Sequence, residues 1–91
     1  MKGLLAWVSI YVESSALDFV VRAVSQLPEV EELYEVTGAF DIAALVSASG
    51  IEEFRELMKN KILKIEGVKN TVTSIVTHTH KGPRQAAQQQ F

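Results

Sequence analysis

The chain has 91 residues, of which 47% are apolar and 22% charged, a balance that suits one compact globular domain and excludes a disordered chain. Its net charge of −2 argues against a surface that grips nucleic acid by excess Lys and Arg, and no run approaches the roughly 20 apolar residues of a membrane span. With no cysteine, disulfides cannot supplement a small core that buries only roughly 60–65% of the unfolded surface, so oligomerisation is the expected remedy, in a reducing cytoplasm.

In chain order, residues 4–12 alternate β-branched, aromatic and small residues and predict a first strand. Lys2 ahead of this run, with Ser14, Ser15 and Ala16 behind it, has the outline of a signal peptide, but the β-branched and aromatic content favours the strand. Ser15-Ala16-Leu17-Asp18 predicts a capping box, and Leu17, Val20, Val21, Val24 and Leu27 recur at helical spacing until Pro28. Residues 30–36 predict a second strand, Thr37-Gly38-Ala39 a turn, and residues 40–48 a third strand. Ser49-Gly50-Ile51-Glu52 predicts another capping box, opening a helix whose inner face is Phe54, Leu57, Met58, Ile62 and Ile65 and which Gly67 closes. Residues 68–79 predict the last strand. Residues 1–80 are thus expected to form a single domain, and residues 81–91, with Gly82, Pro83 and a Gln/Ala stretch, a mobile tail.

The order β-α-β-β-α-β predicts an α+β ferredoxin-like plait, with a four-stranded antiparallel sheet and two helices on one face. A faint repeat supports it: Leu27-Pro28-Glu29-Val30 and Ile65-Glu66-Gly67-Val68 each end a helix and launch a strand. The other face of the sheet is also apolar. The first strand places Leu4, Ala6, Val8, Ile10 and Val12 on one side and Leu5, Trp7 and Tyr11 on the other. The third places Phe40, Ile42, Ala44 and Val46 on one side and Ala43 and Leu45 on the other. Two helices cover only one face, so the second is expected to meet an identical sheet in a two-fold dimer.

The turn carries the candidate chemistry. Gly38 permits backbone angles closed to other residues and leaves turn amides exposed, while Asp41 sets a carboxylate beside them. Donors next to one fixed anion suit a small zwitterion such as an amino acid. A structural hairpin with a locally bonded aspartate would want the same residues.

The segment Pro28-Glu29-Val30-Glu31-Glu32-Leu33-Tyr34-Glu35-Val36-Thr37-Gly38-Ala39-Phe40-Asp41-Ile42 resembles the effector-binding half of Lrp/AsnC transcription regulators: proline-x-valine, then valine-threonine-glycine, an aromatic and an aspartate. Gly67-Val68-Lys69-Asn70-Thr71-Val72-Thr73-Ser74-Ile75-Val76 resembles the last strand of the same domain. The chain begins at the first strand, so the resemblance is to stand-alone members without a helix-turn-helix, and direct DNA binding is not expected. The resemblance implies a dimeric α/β-barrel-type assembly paired through the sheets, an octamer of four dimers, and an amino-acid effector held between dimers. It also implies mixed assembly with a full-length Lrp/AsnC regulator. Carried over to this sequence, it implies ligand contacts from Thr37, Gly38, Ala39, Phe40 and Asp41 in the turn and from Thr71 and Thr73 in the last strand. Turn amides would hold the effector carboxylate and Asp41 its ammonium. The alternatives are an ACT-like amino-acid sensing domain serving a metabolic enzyme and a small plait-fold dimeric enzyme.

The remaining polar residues offer less. His78 and His80 lie two apart on one face, where both rings could reach one metal, but a third ligand is not evident, and they read as solvated at a frayed strand end. No metal and no cofactor are expected. Arg55, Lys59, Lys61 and Lys64 interleave with Glu52, Glu53 and Glu56, with Glu56 and Lys59 at helix-neighbour spacing, as on a solvated mixed face. Trp7, Tyr11 and Phe40 lack the glycine-aromatic signature of an RNA-binding plait and read as interface packing. Catalysis finds no cysteine nucleophile, no serine elbow and no histidine with an evident acid partner, so no catalytic residue is assigned.

Overall fold

The computed structural model describes residues 3–82, so residues 83–91 of the expected tail lie outside the described residues. Strand β1 (Leu4–Val12) leads through a 3-10 turn (Ser14–Ala16) into helix α1 (Leu17–Ser25). Strands β2 (Val30–Glu35) and β3 (Ile42–Ala48) form a hairpin, followed by helix α2 (Ile51–Leu57), a π-helical turn (Met58–Ile62) and strand β4 (Val68–Ile75). The sheet order is β2-β3-β1-β4 with every pair antiparallel, the ferredoxin-like βαββαβ plait that the sequence predicts.

The helices share one face of the sheet. Ala6, Val8, Ile10 and Val12 of β1 and Ile42, Ala44, Val46 and Ala48 of β3 pack with Val20 and Val24 of α1, Phe54 and Leu57 of α2, and Ile62. Paired residues of an antiparallel sheet lie on the same side, and the register Val8↔Ala44 and Ile10↔Ile42 aligns these two rows into a single layer. Burying each such valine, leucine or isoleucine contributes about 1.5–3 kcal/mol. Gly67 closes the second half of the plait. Its φ is +102°, and a Cβ there would lie 2.5 Å from the Ala16 Cβ and 3.2 Å from Val20 Cγ2, so both the backbone angle and the approach to the 3-10 turn and α1 require glycine.

Several local expectations give way to longer-range bonds. Neither predicted capping box forms as written. No side chain caps α1, which the 3-10 turn delivers instead, with the Ala16 amide donating to the Glu13 carbonyl at 2.8 Å. At α2 the carboxylate of Glu53, not Glu52, accepts the Ser49 amide, and Gly50 occupies the cap position. The second helix is not continuous to Ile65, because the π turn widens it after Leu57. Glu56 pairs with Asn60 rather than Lys59, and Lys61 reaches out of its own helix to Glu29, 2.8 Å away. Strands β2, β3 and β4 are each shorter than the apolar pattern suggests, ending at Glu35, starting at Ile42 and ending at Ile75.

The face opposite the helices carries Trp7 and Tyr11 of β1, Ala43 and Leu45 of β3, Tyr34 of β2 and Val72 of β4, since Trp7↔Leu45, Ser9↔Ala43, Tyr34↔Ala43 and Ser9↔Val72 are paired. Trp7 and Tyr34 face each other with ring centroids 6.3 Å apart across Leu45, which is 4% exposed although no helix covers it. Tyr34 (50%) and Val72 (49%) remain open. Phe40 is corrected in one respect. It lies outside β3 and sets its ring edge-on to Tyr11, centroids 6.3 Å apart, so it belongs with this open face and not with Ile42.

Candidate ligand-binding site

The segment between β2 and β3 is held by one residue at its end. The Val36 amide donates to the Asp41 carbonyl at 3.0 Å, and the Asp41 amide donates to the Ile10 carbonyl at 3.1 Å. The Asp41 carboxylate adds a third bond: the Val12 amide donates to its Oδ2 at 2.9 Å. The physical reason lies in β1. The β1–β3 ladder runs only to Ile10↔Ile42, and on the other side the register with β4 shifts between Tyr11 and Val12. Val12 still pairs with Val68 of β4 but lies beyond the end of the β1–β3 ladder, and there the Asp41 side chain gives its partly buried amide a charged acceptor. The aspartate is not locally bonded, as a simple hairpin reading would have it. It joins two strands.

With its base fixed in this way, the loop projects Thr37, Gly38 and Ala39, all exposed, and half-buried Phe40. Gly38 has φ +145°, which side-chain-bearing residues rarely adopt, and a Cβ built on it would meet nothing within 4 Å. Glycine is needed here for the backbone angle, and the space beside it is open. Among the described residues, the amides of Gly38, Ala39 and Phe40 donate no hydrogen bond. The arrangement presents backbone donors to an open space about one residue from a carboxylate whose Oδ1 is not engaged by the Val12 bond.

Thr71 and Thr73 stand apart from this loop within the protomer. They pair with Ile10 and Val8, so β1 separates them from β3, and two strand spacings amount to about 9.5 Å. Both fall on the side of the sheet that bears the helices, at its β4 edge, where Thr71 is half-buried and Thr73 exposed. The structure thus brings residues 37–41 together as one unit and the two threonines together as another, without joining the two.

Two further polar pairs flank the sheet. Lys61 donates to Glu29 Oε2, and that bond holds the Glu29 carboxyl below the usual carboxylate range against the opposing effect of burial. The Tyr34 hydroxyl donates to Glu32 Oε1 at 3.0 Å, which raises its pKa because ionisation would place two anions together. Sequence spacing gave no sign of the Asp41–Val12 and Glu29–Lys61 bonds, which span 29 and 32 positions. The one clue was negative: Asp41 is an acid inside an apolar run.

The geometry has close counterparts. A family model described as the Lrp/AsnC ligand binding domain matches residues 5–86. An HTH-type transcriptional regulator of Pyrococcus horikoshii is 35% identical over 78 residues, which are 86% of this chain and 49% of the regulator. The chain therefore spans about half the length of that curated relative. Among solved structures, a Thermus thermophilus protein superposes with a TM-score of 0.81 at 32% identity, covering 87% of this chain and 99% of its own. A Neisseria meningitidis transcriptional regulator solved with L-methionine shares the fold, with a TM-score of 0.78 at 22% identity over 94% of this chain and 60% of its own. The match across nearly all of the sequence and the shared plait lead to one conclusion: the chain belongs to the Lrp/AsnC ligand-binding domain family.

Proposed function

We propose that this chain is an effector-binding and oligomerisation module of transcription regulation, which takes a small amino acid and acts through partner regulators. The observation that carries this reading is the loop fixed by Asp41, with open space and undonated amides around Gly38. The effector carboxylate accepts from the amides of residues 38–40, and its ammonium pairs with Asp41 Oδ1. The hydroxyls of Thr71 and Thr73 close the site from a neighbouring protomer, because β1 keeps them from the loop of their own. Chemistry of this kind binds and releases without transforming, so the module is not an enzyme.

Assembly follows from the open face. Trp7, Tyr34 and Val72 meet the same row of a second copy in a two-fold dimer, and four such dimers make an octamer in which the loops meet at dimer seams. Mixed assembly with a full-length Lrp/AsnC regulator would carry the amino-acid signal to DNA, which this chain does not grip itself. Among the described residues no helix is long and apolar enough to cross a membrane, and a cytoplasmic setting suits a partner of DNA-bound regulators.

A thermal-shift screen across the twenty amino acids, with mass followed by light scattering, tests the reading. An effector at 100 times its dissociation constant stabilises the fold by about 2.7 kcal/mol. The reading predicts such a shift for at least one amino acid, with a dimer or larger species throughout. No shift from any of the twenty, or a monomer at micromolar concentration, contradicts it.

A further inference from the structure

We propose that His78 and His80 form a binding site for a borderline divalent transition-metal ion of the Zn2+, Ni2+ or Cu2+ class. Both side chains are exposed, on the segment that continues past β4. Their ring centroids lie 4.5 Å apart with the planes at 64°. That separation is the telling quantity. A zinc–nitrogen bond of about 2.0–2.1 Å places the ion about 3.2 Å from the centroid of the bound ring, so two rings sharing one ion at an angle of about 90–110° have centroids about 4.5–5.2 Å apart. The separation falls at the short end of that range, close enough for both rings to reach one ion, and imidazole nitrogen suits these ions better than it suits the hard cations Mg2+ and Ca2+.

The site is open. Among the described residues no third His, Cys, Asp or Glu completes a cluster, so water occupies the ion's other positions, as in exchangeable rather than structural sites. It is also remote from the Asp41 loop. The Val76 amide donates to the Leu5 carbonyl, whereas the Asp41 amide donates to that of Ile10. Five residues along β1 put the two about 17 Å apart. Metal binding and amino-acid binding are therefore read separately, and the failure of one leaves the other standing.

Calorimetric titration of the full chain, prepared without a polyhistidine tag, tests the site with Zn2+ against Mg2+. One Zn2+ binds per chain in a saturable titration, His78→Gln and His80→Gln each weaken it at least tenfold, the double variant gives no saturable heat, and Mg2+ is silent. Absence of saturable Zn2+ binding overturns the proposal, as does a double variant that binds like the parent or Mg2+ that binds like Zn2+. A second measurement needs no variant: the electron paramagnetic resonance spectrum of the unaltered chain with one equivalent of Cu2+ shows coupling to two imidazole nitrogens. One nitrogen or none overturns the proposal.

Discussion

Asp41 and Val12 lie 29 positions apart, and a single 2.9 Å hydrogen bond from the Val12 amide to the Asp41 carboxylate ties the start of β3 to the end of β1. The same aspartate uses its own amide and carbonyl to reach Ile10 and Val36. Three strands' ends thus converge on the residue that also offers the candidate effector its anion. The Val12 bond uses Oδ2, and the proposed pairing with an effector's ammonium uses Oδ1, so the structural role and the proposed ligand role can be separated by substitution.

Asp41→Ala removes both oxygens and leaves the Val12 amide without its acceptor, a loss of about 1–3 kcal/mol in stability. Asp41→Asn keeps an oxygen for Val12 but has no charge to pair with an ammonium. Denaturant unfolding therefore finds the asparagine variant within about 1 kcal/mol of the parent. Calorimetry finds its amino-acid affinity reduced at least about tenfold, the loss of one charge-assisted bond.

The two positive-φ glycines respond differently to alanine. At Gly38 the added Cβ meets open space, so Gly38→Ala costs only the backbone strain, about 1–3 kcal/mol. At Gly67 the same strain combines with a clash against Ala16 and Val20 of the α1 region, and the cost rises to about 2–5 kcal/mol. Thermal midpoints of the two variants, compared at one pH, order them in this way.

Lys61 lowers the Glu29 pKa, and Glu29 Oε1 is buried without a hydrogen-bond partner among the described residues. Because the folded-state value lies below the ordinary 4.5, the pair's contribution is complete above pH 4.5 and is lost as the pH falls through the folded value. Lys61→Met strips the carboxylate of its ammonium. Its acid-unfolding midpoint, followed by circular dichroism, moves to higher pH than the parent's, with no such shift for Lys59→Met.

The open face predicts a separation of assembly from folding. Trp7, at 36% exposure, contributes to the face without entering the helix-covered core. Trp7→Arg places a charge on the face where the proposed second sheet packs, so light scattering is expected to show monomer at micromolar concentration while far-ultraviolet circular dichroism stays that of the parent. Val8→Arg, buried under the helices, unfolds the chain instead.

What was legible in the sequence followed from periodicity. The alternation of Ala6, Val8, Ile10 and Val12 and the helical spacing of Val20 and Val24 give the plait and its covered face, because burial acts on every second or every third to fourth side chain. The ends of elements were not legible. Phe40 continues the apolar pattern of β3, yet the ladder stops at Ile42 and the ring turns to Tyr11. Glu53 displaces Glu52 at the start of α2, and the π turn breaks a helix whose apolar spacing runs on unbroken to Ile65. At the candidate site the local unit was legible: Gly38 does adopt the positive φ that its turn suggested. The Val12 partner was not, because a bond across 29 positions depends on where the β1–β3 ladder ends, which no local pattern encodes.

The most direct measurement follows the backbone amides themselves, by nuclear magnetic resonance of the 15N-labelled chain with each of the twenty amino acids. For the amino acid that binds, the account predicts chemical-shift changes concentrated at residues 37–41, with Val12, Thr71 and Thr73 following. Shifts confined to other parts of the sheet, or none with any of the twenty, would contradict it.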